Sequence, residues 1–152
     1  MQAVGRVLGI DYGEKRIGLA LSDPSGVVAT PWQVVPAEPS QARTVERIAA
    51  LAREAKAQQV VIGLPLRMDG SDGPAAEHVR RFGAQLQEAL GLPLHYCDER
   101  FSTRTAEQAL IAGGTRRQRR KQVVDKLAAQ IILQHFLEMA SNQPTTPLPD
   151  HP

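Results

Sequence analysis

The sequence predicts a single-domain α/β fold, and three observations carry that expectation. Short apolar runs of strand length alternate with segments whose apolar residues recur every three or four positions. The first two strand-like runs are joined by a glycine-bearing turn instead of a helix, so the chain opens with a hairpin. The length of 152 residues suits one domain burying roughly 70% of its unfolded surface, with no need of a disulfide or structural metal.

Residues 4–11, Val-Gly-Arg-Val-Leu-Gly-Ile-Asp, read as a largely buried strand ending in an acid. Tyr12 to Lys15, with Gly13, form the turn. Ile17, Leu19 and Leu21 alternate with Gly18, Ala20 and Ser22, giving a second strand with one face of small residues. Val27 to Val35 offers a third strand, interrupted by Pro31. Pro36 and Pro39 separate it from a helix over Ser40 to Lys56, where Val45, Ile48, Ala49 and Ala52 fall at i, i+3, i+4 and i+7. Val60-Val61-Ile62 is a short buried strand, followed by a loop from Gly63 to Gly73. Pro74 suits a first helical position. Val79, Phe82, Gly83, Leu86 and Leu90 form the inward stripe of that helix, which Gly91 and Pro93 stop.

Leu94 to Glu99 is a fifth strand running into acids, and Ser102 to Ala112 a helix closed by Gly113-Gly114. A last helix is predicted over Gln122 to Ala140, with a buried stripe of Val124, Leu127, Ile131 and Ile132. From Ser141 to Pro152 there are four prolines in twelve residues and no periodicity, so disorder is expected there and one domain over 1–140.

Composition narrows the function. Apolar residues at 42% and charged ones at 22% argue against wholesale disorder. The single Cys97 excludes an internal disulfide and a Cys-rich zinc site. No apolar run approaches the ~20 residues of a membrane span, and the N-terminus lacks the order of a secretion signal, so a soluble, intracellular protein is expected. The net charge of +2 conceals one dense segment, Arg116-Arg117-Gln118-Arg119-Arg120-Lys121. With its five cations set aside, 13 basic residues face 16 acidic ones. A mildly acidic body with one basic segment suits a polyanion touching one place, although a solvated basic helix start would have the same composition.

Three acids stand where stability alone would not put them. Asp11 ends an apolar strand, Glu99 ends another, and Asp125 lies on the last helix at the edge of its buried stripe. Ala128 and Ala129 follow Asp125 at i+3 and i+4, leaving space beside the carboxylate. Each acid alone has a structural use: Asp125 near a helix N-terminus, Asp11 bracing the turn, and Asp98-Glu99 as a soluble strand end. Taken together, Asp11 and Glu99 are expected on neighbouring central strands at one sheet end, with Asp125 delivered by a helix packed there. Oxygen ligands without His or Cys select Mg²⁺ or Mn²⁺. Two such ions roughly 4 Å apart suit in-line phosphodiester hydrolysis, Asp11 bridging and Glu99 and Asp125 on opposite ions. The basic segment runs almost directly into Asp125, so phosphate attraction and metal ligand come from contiguous chain.

Other chemistries fit less well. His78, His95, His135 and His151 have no ligand spacing, Cys97 falls within a predicted strand, and no G-x-S-x-G is present. Gly9, Gly13 and Gly18 make no dinucleotide fingerprint, because no helix follows the first strand. Trp32 is expected to pack in the core.

The segments G-I-D-Y-G-E-K-R-I-G-L-A-L-S-D at 9–23, G-L-P-L-R-M-D-G at 63–70, D-E-R-F-S-T at 98–103 and D-K-L-A-A at 125–129 resemble the YqgF (RuvX) family of the ribonuclease H-like superfamily. The resemblance implies a three-layer fold with a five-stranded mixed sheet of order 3-2-1-4-5, strand 2 antiparallel, and helices on both faces. It implies catalytic, metal-binding acids at Asp11, Glu99 and Asp125. It also implies a bacterial cytoplasmic nuclease that processes the 5′ end of precursor 16S ribosomal RNA, with an older label as a Holliday junction resolvase. Arg116, Arg117, Arg119, Arg120 and Lys121 would then hold the nucleic-acid backbone and Arg100 the scissile phosphate. The loop from Gly63 to Gly73 resembles the family's substrate-side loop and reads equally as an ordinary connection.

Dedicated resolvases of the RuvC type look like they use four acids, two of them three residues apart on the last helix. Position 128 here is Ala, which weakens the reading as a resolvase of branched DNA. Two other classes stay open: an actin-like nucleotide-binding half-domain, suggested by D-Y-G before a hairpin, and a non-catalytic RNA-binding module. Monomer and weak homodimer are both compatible with the sequence.

Overall fold

The computed structural model describes residues 5–99 and 117–142, with side chains over 5–99 and 127–140. The predicted helix over Ser102 to Ala112, Arg100, Arg116 and nearly all of the proline-rich tail lie outside the described residues. Five strands, β1 (Arg6–Tyr12), β2 (Arg16–Ser22), β3 (Ala29–Pro36), β4 (Ala57–Leu64) and β5 (Leu94–Asp98), form one sheet in the order β3-β2-β1-β4-β5. β2 runs antiparallel to β1 and β3, whereas β4 runs parallel to β1 and β5. Among the described residues the helices are α1 (Gln41–Glu54), α2 (Pro74–Leu90) and α3 (Arg117–Asn142). Among the described residues none is long and apolar enough to cross a membrane.

The two faces of the sheet are covered by different helices. Leu8, Ile10, Ile17, Leu19 and Ile62 pack with Val45, Ile48, Ala49 and Ala52 of α1 and Val79, Phe82 and Leu86 of α2. On the other face Val7, Ala20, Val61 and Cys97 pack with Ala129, Ile132, Leu133 and Leu137 of α3. The helical stripes read from sequence in α1 and α2 are therefore the buried ones. Ser40 caps α1, its Oγ accepting from the Arg43 N–H at 3.2 Å, and Gly91 ends α2 in the left-handed conformation.

The structure corrects the sequence reading in several places. α3 begins at Arg117, not Gln122, and ends at Asn142, so Arg117, Arg119, Arg120 and Lys121 belong to its first turns. Its buried line is Ala128, Ala129, Ile132, Leu133 and Leu137, while Leu127 and Ile131 are only partly buried. The cause is the sheet beneath. A Cβ at Gly9 would lie 2.7 Å from Leu133 Cβ and 3.1 Å from the Ala129 carbonyl oxygen, so α3 docks along its small residues. Gly63 belongs to β4 and not to a loop. Trp32 is half-buried against the core at a bulge in edge strand β3, where Leu19 aligns with Gln33 and Ala20 with Pro31.

Candidate active site

Side chains alternate across β1. Gly9 faces α3, so Asp11, two residues on, faces the same layer, while Ile10 and Tyr12 face α1 and α2. The C-terminal ends of the parallel strands β1, β4 and β5 lie together, which is where ligands bind in sheets of this kind. Asp11 and Glu99 are not on adjacent strands: β4 lies between them. The Glu99 N–H donates to the Leu64 carbonyl at 3.2 Å, and its side chain crosses β4 over Gly63. A Cβ at position 63 would sit 2.6 Å from Glu99 Oε2 and would run into Ile132 Cδ1. Glycine there leaves a channel through which Glu99 reaches the carboxyl of Asp11, with which it is hydrogen-bonded.

Two carboxyl groups can bond to each other only if one carries a proton. Glu99 is 9% exposed, and burial raises its pKa first; the Asp11 charge, the hydrogen bond with Asp11 and the charge of exposed Asp98 raise it further, to about 9. At neutral pH the pair therefore holds a proton in the absence of a cation. Such a pair fits a divalent metal ion, because hard oxygen donors of like charge lose their mutual repulsion to a dication that displaces the proton. Among the described residues no three His, Cys, Asp or Glu side chains gather.

Of the predicted acids, the structure thus brings Asp11 and Glu99 together. Asp125 is carried by α3, two to three turns from its start and one turn before Ala129, whose carbonyl abuts Gly9; its side chain is outside those described. The side chains of Arg117, Arg119, Arg120 and Lys121 are likewise outside them. Gly63 and Gly9 went unnoticed as site-forming residues. Their signal was present all the same, since glycine inside an apolar strand marks close approach of another group. The loop after β4 is internally tied: Arg67 N–H donates to the Ser71 carbonyl at 2.9 Å, and Arg80 on α2 grips Asp72 through Nε at 2.6 Å and a second nitrogen at 3.2 Å. That hydrogen bond holds the Asp72 carboxyl below its usual range.

Comparison with known proteins follows the same lines. The model of the RuvX family, described as Holliday junction resolvase, matches residues 5–139. A protein of Pelotomaculum thermopropionicum, provisionally named as a pre-16S rRNA nuclease, is 46% identical over 133 residues, 88% of this chain and 86% of that one. A Lactococcus lactis subsp. lactis protein with the same provisional name is 43% identical over 135 residues, covering 88% and 94%. Among solved structures, T. thermophilus RuvC in complex with a Holliday junction substrate matches with a TM-score of 0.55 at 19% identity, covering 91% of this chain and 96% of that one. At that identity the likeness speaks for the fold.

Proposed function

The chain belongs to the RuvX family, and from that premise we propose that it is a divalent-metal-dependent nuclease that hydrolyses RNA phosphodiesters, processing the 5′ end of precursor 16S rRNA. The observation that carries the reading is the buried, hydrogen-bonded Asp11–Glu99 pair, which meets over Gly63 at the C-terminal edge of the sheet. Asp11, Glu99 and Asp125 would hold Mg²⁺ or Mn²⁺. Bound there, the metal would activate water and stabilise the leaving oxygen of the phosphodiester.

The chain's own residues do the rest. Gly63 keeps the path between the two acids open. Burial of Glu99 beside Ile132 keeps water from solvating its carboxyl, so a cation that displaces the proton meets an unhydrated oxygen donor. Arg116, Arg117, Arg119, Arg120 and Lys121 hold the nucleic-acid backbone, and Arg100 meets the scissile phosphate. Branched DNA is the second reading, favoured by the family's description. Ala128 is wholly buried and supplies no carboxylate beside Asp125, which favours RNA.

Incubation with precursor 16S RNA and with four-way DNA junctions in Mn²⁺ tests this on a gel. RNA should be cut, and Asp11→Asn should lose cleavage at least a hundredfold while retaining RNA binding. Full activity in Asp11→Asn refutes the site, and cleavage of junctions alone refutes the substrate.

A further inference from the structure

Asp11 and Glu99 meet on one face of the sheet, and on the opposite face of β1, at the same strand end, lies a cavity that the chemistry above does not use. It measures about 590 Å³ and is walled by Tyr12, Pro65, Pro74 and His78, with Glu14 and Arg81 also lining it. That volume is within the ~300–1,000 Å³ of small-ligand clefts. We propose that this cavity takes one unpaired nucleobase of the substrate strand, next to the bond that is cut. The inference rests on the nuclease reading and adds to it a specificity subsite.

The walls are rigid. The Tyr12 ring is stacked on Phe82 with centroids 4.2 Å apart and inclined to the His78 ring at 5.5 Å. Tyr12 Oη pairs with His78 Nε2 at 3.4 Å and accepts from Gln41 Nε2 at 3.4 Å, while Gln85 Nε2 donates to Gln41 Oε1 at 2.8 Å. Two aromatic side chains are thus fixed before any ligand arrives, and Pro65 and Pro74 add faces with little freedom to lose. A flat aromatic guest is what such a slot accepts, and stacking on aromatic side chains is how single strands are commonly held.

The polar groups suit a nucleotide. Arg81 and Glu14 are both exposed. The guanidinium matches a phosphate flanking the base, and the Glu14 carboxylate can accept from an exocyclic amino group.

Continuity selects the strand as the source of the base. Asp11 and Tyr12 are consecutive, so their Cα atoms are ~3.8 Å apart, with side chains on opposite faces. A strand crossing the sheet edge with a phosphate at Asp11 brings a neighbouring base to Tyr12. The base must leave its stack to enter, so the substrate should be unpaired there.

The test uses the full chain carrying Asp11→Asn, so that RNA stays intact. A fluorescein-labelled 12-nucleotide single-stranded RNA is titrated by anisotropy, alongside versions with a single abasic residue walked along it. One or two abasic positions should weaken binding about tenfold, and His78→Ala should erase that difference, whereas Arg81→Ala should weaken intact and abasic strands alike, both variants keeping the helical far-UV spectrum unchanged. Equal binding of all abasic versions overturns the proposal, as does a penalty that persists in full in His78→Ala. Saturable binding of AMP alone, with no abasic effect in the strand, would make this a mononucleotide site and overturn it too. Cleavage of unmodified RNA by the Asp11-containing chain is measured in parallel. An abasic pattern without cleavage leaves the subsite standing and removes the nuclease reading, whereas cleavage with no abasic pattern does the reverse.

Discussion

Burying Glu99 beside Asp11 means that the folded chain holds a proton which the unfolded chain has released at neutral pH. With the Glu99 carboxyl moved from an ordinary 4.5 to about 9, its contribution is fully present below about pH 4.5 and is lost as pH rises toward 9. In chelator, thermal stability should therefore fall across that window. Glu99→Gln keeps the shape and donates to Asp11 without a titrating proton. It should gain about 1–2 kcal/mol at pH 7.5, flatten the pH profile and abolish cleavage. Denaturant melts of both proteins with and without Mn²⁺ measure this, and a less stable, equally pH-sensitive variant would contradict the cause assigned here. At this scale Asp11 and Glu99 were legible, because an acid at the end of an apolar run is costly unless used. Their connection over β4 was not, since strand order determines which ends are adjacent and a lone glycine does not say what approaches it.

Helix α3 is the element that would bring the two halves of the proposed chemistry, basic segment and Asp125, to one piece of chain. It lies on Gly9, Ala20 and Val61 through Ala129, Ile132 and Leu133. Gln130 and Gln134, one turn apart, fasten it sideways: Gln134 Oε1 accepts from the Ala29 N–H at 2.9 Å, and Gln130 Nε2 donates to the Ala29 carbonyl at 3.1 Å. Gly9→Ala must push Leu133 outward and should destabilise the chain by about 1–3 kcal/mol. Urea denaturation checks the magnitude, and a neutral effect would mean that the helix can shift freely. The start of α3 at Arg117 is not visible in apolar periodicity, which begins only after the basic segment, whereas Arg, Gln and Lys are good helix formers in their own right. Periodicity alone points to Leu127 and Ile131 as the helix's buried line, but a sheet carrying Gly9 and Ala20 admits small side chains more closely than large ones.

Over the whole molecule the densest run of positive charge in the sequence enters a single helix. Arg117, Arg119, Arg120 and Lys121 lie in the first turns of α3, leading to Asp125 and then to the apolar section against the sheet. On the proposed function, attraction of phosphate and placement of a carboxylate would be coupled by helix geometry. Replacing Arg119 and Arg120 by Ala should reduce the slope of log binding constant against log salt by about 1.4 on single-stranded RNA, at ~0.7 per phosphate contact. Anisotropy titrations between 50 and 300 mM KCl, as typical working salt, measure it, and an unaltered slope would remove that segment from the interface. The strand order 3-2-1-4-5 followed from the family resemblance; the alternating pattern alone suggested only strands, helices and an opening hairpin.

One consequence reaches back to the alternation of β1. Because Gly9, Ile10, Asp11 and Tyr12 present themselves in turn to opposite sides, a slip of a single residue against β2 or β4 would exchange the acid for the phenol and thrust Ile10 at the docking helix. Misalignment would be punished twice, in lost cohesion and in lost chemistry. On the proposed function, assembly and turnover would in that sense be proofread by the same four residues, and a chain able to cut its substrate would certify its own correct threading.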